Sequence, residues 1–145
     1  MVAPLDWRMS KKSPAIAERV RAFAGGELDP HYAGYFDCFN RQLFYEAHDV
    51  LEELWLQDRK GPAGDFYKGL IQLAGAFVHV QKHRPQPAIA LLNLAEANLQ
   101  RYAPGYLHLD ITLTQALINS WRDQIREAAE VANLLAHPPR LNPKP

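Results

Sequence analysis

Apolar residues recur at three- and four-residue spacing through most of this chain, and no stretch alternates with period two for long. That periodicity predicts helices joined by short connections. Ser13-Pro14 opens the first, with Ser13 placed to cap free N–H groups and Pro14 in the first turn, where its missing N–H costs nothing. Ile16, Val20 and Phe23 follow at helical spacing, and Gly25-Gly26 stops the run. Asp29-Pro30 repeats the start signal, and the second helix carries an aromatic stripe of Tyr32, Tyr35, Phe36 and Phe39, read as core. Asn40-Arg41-Gln42 is a turn or kink before a third helix over about residues 43–57.

Gly61-Pro62-Ala63-Gly64 breaks the pattern, and a long fourth helix is expected over about residues 65–83, with Phe66, Leu70, Leu73, Phe77 and Val80 on one side. Pro87 is taken as the start of a fifth helix through Leu92 and Leu99, ended by Pro104-Gly105. Asp110 looks like the cap of a last helix that runs through Leu117, Trp121, Ile125 and Leu134. The expected fold is all-α, a single-domain antiparallel helical bundle of five to six helices. Its parts are a loose N-terminal arm (1–12) with Leu5 and Trp7 to pin it, the bundle (13–136) and a proline-rich tail (137–145).

Composition adds limits rather than detail. A chain of 145 residues with 48% hydrophobic and 22% charged content suits one soluble domain with its own core. Sixteen basic residues balance sixteen acidic ones, so no broad basic face for nucleic acid or anionic membrane is indicated. The single cysteine, Cys38, sits among Tyr35, Phe36 and Phe39 and reads as a small buried hydrophobe. MVAPLDWRMSKKS holds no signal-peptide-like apolar run, and GLIQLAGAFVHV is too short to span a bilayer, so a cytoplasmic location is expected. GxGxxG, the P-loop pattern, GxSxG and HExxH are all absent.

Candidate chemistry concentrates in FNRQLFYEAHDVLEELW, residues 39–55. On a wheel of about 100° per residue, Leu43, Phe44, Ala47, Val50, Leu51, Leu54 and Trp55 form an apolar arc. His48 lies at its edge, and Glu52 one turn further on the same face; Glu46, Asp49 and Glu53 fall on the opposite side, expected to be solvated. Folding the fourth helix back brings Gln72 within a turn of His48 and Glu52, while Gly69 lets the backbones approach or leaves room for a ligand. Gln72 shares a face with His79 and His83. Two accounts fit. His48 and Glu52, with Gln72 or His79, could ligate a divalent metal whose bound water is the nucleophile of a hydrolysis. Alternatively the same side chains pair with one another, satisfying buried polar atoms. For His79 and His83, a face shared with Lys68 and Lys82 reads more simply as solvated surface. Trp55 is either a core anchor or the edge of a small apolar ligand site. Whether the protein is an enzyme, which cofactor it uses and which small molecule it binds stay open at this point. If the chain is not catalytic, it is expected to be a helical module that forms a homodimer or binds a partner, with the polar cluster fixing helix register.

The same residues resemble a family of small bacterial and archaeal proteins, domain of unknown function 309. Members typically carry a phrase like FN…(F/Y)(F/Y)EAHE.LE..W and then F..GLIQ.A.A, which this chain matches over about residues 39–99, with a weaker echo at Asp110. The resemblance implies a small all-α bundle. It also implies metal-dependent hydrolysis, an activity sometimes predicted for the family, and points to Glu46, His48, Glu52, Glu53, Trp55 and Gln72. Here Asp49 stands where the pattern usually has Glu, and His83-Arg84-Pro85 where relatives tend to carry an Arg-Gly-Asn turn.

Overall fold

A computed structural model describes residues 14–144. It is all-α, with six helices among those residues: α1 (Pro14–Arg21), α2 (Pro30–Asn40), α3 (Phe44–Asp58), α4 (Gly64–Gln81), α5 (Pro85–Leu99) and α6 (Ile111–Glu127). The proposed Ser13 cap, and the arm with Leu5 and Trp7, lie outside the described residues. Among the described residues, no helix is long and apolar enough to cross a membrane.

The start signals act as expected. The Asp29 carboxylate accepts from the N–H groups of His31 (2.8 Å) and Tyr32 (3.4 Å), and Pro30 fills the first turn of α2. Asp110 accepts from the Leu113 N–H at 2.8 Å and caps α6. The aromatic stripe of α2 is core: Tyr32, Tyr35, Phe36 and Phe39 are buried, together with Cys38. Phe39 meets Phe44 and Phe77 edge-to-face, and Phe77 in turn meets Trp121 of α6 at 4.9 Å. Such pairs contribute about 0.5–1.5 kcal/mol beyond the area they bury.

The turn that aims α3 is built at Gln42. Its φ of 63° is left-handed, its N–H donates to Phe39 O (3.0 Å), and the Leu43 N–H reaches back to Cys38 O (2.9 Å). This is a Schellman ending without glycine. Gly34 brings α2 against α3, since a Cβ there would sit 3.1 Å from Val50 Cγ1. α4 packs on both α3 and α5 and is the central helix of the bundle. A second Schellman turn ends α4, with His83 at φ 59° and the Arg84 N–H on His79 O at 2.9 Å. The Gln81 amide donates to Gln42 O at 2.9 Å, tying the two turns together.

Three sequence expectations shift. α5 begins at Pro85, two residues before Pro87, because both prolines fit within a first helical turn. A two-stranded ribbon, β1 (Gly105–Tyr106) and β2 (Leu109–Asp110), precedes α6; its loop residues Leu107 and His108 have φ of 45° and 67°. Neither residue is a usual type I′ turn former, which is why the sequence does not announce the ribbon. The last helix does not continue to Leu134: it ends at Glu127, Ala128 turns extended, and Val131–Ala136 form a 3-10 helix. A straight continuation would offer only Ala128 and Ala129 to the core after Ile125, whereas the break buries Val131.

Candidate functional site

The central turn of α3 is buried on every side. Residues 47–52 are all buried, and six positions at about 100° each sweep more than a full circle. Ala47, Val50 and Leu51 pack in the core, as expected. The same stretch carries His48 at 6% exposure, Glu52 at 3% and Asp49 at 1%. Asp49 is therefore not on a solvated side, as the single-helix wheel implies. Glu46 and Glu53 are half-buried. A wheel measures direction around one helix, whereas here neighbours cover α3 from more than one direction.

Within this turn His48 Nδ1 lies 3.3 Å from Asp49 Oδ1, and the imidazole stacks nearly parallel (8°) on the Tyr45 ring at 6.0 Å. Which of the two atoms carries the proton follows from the histidine tautomer. None of Tyr45, His48, Asp49, Glu52 and Trp55 is without a partner. Trp55 is half-buried and packed against the core, with the Arg59 guanidinium over its indole at 5.9 Å. That distance is within reach of a cation–π contact.

Gln72 is buried at 7%, and its amide oxygen accepts from Asn98 Nδ2 of α5 at 2.7 Å. The geometry explains this pairing. Gly69, one turn before Gln72, faces α5, and a Cβ there would lie 2.8 Å from Leu99 Cγ and 3.2 Å from Asn98 Cβ. The space that a missing side chain opens at Gly69 is thus filled by Leu99 rather than left for a ligand. Gln72 belongs to the α4–α5 seam, while His48, Asp49 and Glu52 share one turn of α3.

His79 is half-buried in the last turn of α4. Burial lowers its basicity, reinforced by the nearby charges of Arg84 and Lys82. His83 is exposed and belongs to the left-handed turn beyond the helix, so it does not continue the α4 face that holds His79. Deep in the core, the Tyr35 hydroxyl donates to Leu70 O at 2.6 Å, and burial holds its phenol well above the usual range.

A divalent metal would need several donors aimed at one point. Among the described residues, no three His, Cys, Asp or Glu side chains form such a group. The residues overlooked in sequence reasoning are Asp49 and Asn98. Asp49 gives no periodicity signal because its burial comes from neighbouring helices. Asn98 could have been found as the polar residue that faces Gln72 once α5 is folded back.

The model of a domain of unknown function, DUF309, matches residues 32–91. That interval runs from the aromatic stripe of α2 through the α3 cluster and into α5. No curated protein matches the chain, and no solved structure does.

Proposed function

We propose, for a chain whose residues 32–91 match the DUF309 family model, a non-catalytic helical module that acts by binding another protein chain. In this reading His48, Asp49 and Glu52 are a structural lock that fixes α3 among its neighbours. The observation that supports it is that three ionisable side chains share one buried turn and each has a partner. Buried polar side chains are tolerated when they are partnered, and truncating one member of such a set costs about 2–4 kcal/mol once the unsatisfied group and the void are both counted.

Thermal unfolding of the wild-type chain and of His48→Ala, with and without zinc, manganese or iron, tests the proposal. A lock predicts a clear loss of stability in the variant and no metal-dependent rise in the wild type. A rise in the wild type that His48→Ala abolishes would overturn it.

That second outcome would favour a metal-dependent hydrolase, with His48 and Glu52 as ligands and a metal-activated water as nucleophile. The observation in favour of this alternative is the same clustering, since ionisable groups gathered in a buried turn are also what active sites contain. Metal content of protein grown with defined metals, measured by mass spectrometry, separates the two readings.

A further inference from the structure

The chain after the 3-10 helix does not hang loose. Residues 138–144 run as a strap across the end of α2, the ribbon and the start of α6. Asn40, the last residue of α2, grips the strap with its side-chain amide: Nδ2 donates to Leu141 O (2.9 Å) and Oδ1 accepts from the Leu141 N–H (2.8 Å). Nδ2 also lies 3.5 Å from Asn142 Oδ1. Further along, the Lys144 N–H donates to His108 O (2.7 Å), and His108 Nδ1 pairs with Lys144 O at 2.8 Å. Leu141 is 3% exposed and is the strap's apolar anchor, seated beside Leu109, Leu113 and Leu117.

Every one of these hydrogen bonds but the long one to Asn142 reads the strap's backbone, which is how an extended peptide is held by a receptor. Pro138, Pro139 and Pro143 keep the segment extended before it docks, so little conformational freedom is lost on binding. The groove is also not fully covered by its own strap. Leu113, on its rim, remains 67% exposed, a large apolar surface beside the anchor.

We infer that this groove accepts the C-terminal strap of a second copy, so that two chains exchange straps. The inference rests on the binding-module reading above and names the partner as the chain itself. The same Asn40 and His108 bonds form whether the strap arrives from its own chain or from a neighbour. Leu141 stands ten positions beyond buried Val131, a reach of up to about 33 Å once the intervening 3-10 helix opens, some three helix diameters. The tether also keeps a chain's own strap at an effective concentration of order millimolar, so the closed form prevails in dilute protein and exchange grows with concentration.

A complementation experiment on the whole 145-residue chain tests this. Asn40→Ala weakens the groove and leaves the strap intact; Leu141→Ala weakens the strap and leaves the groove intact. Each variant alone is expected to stay at 16.5 kDa in sedimentation analysis. Their mixture is expected to form a species of twice that mass, as the intact groove of one takes the intact strap of the other. Two monomers at every concentration up to about 1 mM, the scale of the tether's effective concentration, would overturn the inference. If circular dichroism shows either variant unfolded, a labelled peptide of residues 137–145 titrated into wild-type chain replaces the mixture. Saturable binding that Leu141→Ala in the peptide abolishes supports exchange, and no binding refutes it. Neither result depends on the His48→Ala stability measurement, so the lock and the strap can fail separately.

Discussion

Asp49→Ala is the sharpest probe of the α3 cluster, because sequence patterning and structure disagree about that side chain. A surface carboxylate on a helix can be truncated with a change within about 0.5 kcal/mol. Asp49 is instead almost wholly enclosed, and its Oδ1 is within hydrogen-bonding distance of His48 Nδ1 at 3.3 Å. Truncation takes away that partner and leaves an enclosed imidazole less well satisfied, a cost of about 1–3 kcal/mol. The void left by the carboxylate adds to it, so the expected loss is about 2–4 kcal/mol. At about 3–4 °C per kcal/mol for a domain of this size, the midpoint should fall by about 6–16 °C. Urea unfolding followed by far-ultraviolet circular dichroism gives the free energy directly, with Glu53→Ala as the half-buried control. The pair His48→Ala and Asp49→Ala should also be non-additive by at least about 0.5 kcal/mol, as contacting side chains are. If Asp49→Ala costs no more than Glu53→Ala, the all-round burial of α3 is wrong, and the lock goes with it.

Two further outcomes follow from the α4 geometry. Gly69→Ala drives a methyl group toward Leu99 Cγ and should destabilise the chain by about 1–3 kcal/mol, read by the same urea titration; a neutral or stabilising result would mean that the α4–α5 seam is looser than described. His79 titrates below the ordinary histidine range in the folded chain, because of burial and then Arg84 and Lys82, so the unfolded chain binds the extra proton more readily. Its contribution to stability should therefore be unchanged above about pH 6.5 and become unfavourable as pH falls below that value, and His79→Gln should flatten this acid-side decline.

Most of the fold is legible in the sequence because its signals are local. Asp29-Pro30 and Asp110 place two helix starts, the glycine and proline breakers place the loops, and the Tyr32-to-Phe39 stripe identifies the core face of α2. What the sequence conceals depends on contacts between distant segments. Gln72 points to α5 because Gly69 lets Leu99 in. The ribbon loop uses Leu107 and His108 in conformations that glycine or asparagine would advertise, and the Tyr32 hydroxyl helps hold it by donating to Leu107 O at 2.7 Å. Asp49 is the clearest case, since hydrophobic patterning assigns a carboxylate to solvent unless neighbours are known to cover it.

The cluster and the strap meet at one short junction, and that arrangement bears on both proposals. Asn40 grips Leu141 at the end of α2, the Gln42 carbonyl receives the Gln81 amide, and α3 starts at Phe44, one turn before His48. The orientation of α3 thus depends on a turn braced from two sides, by the strap and by α4. Gln42 itself adopts a left-handed backbone at a cost of about 1–2 kcal/mol relative to a residue in the usual region, so these braces stabilise a turn that local propensity alone disfavours. On the strap-exchange proposal, the turn loses one brace only while the groove stands empty, and a lock at His48, Asp49 and Glu52 would hold α3 in register over that interval.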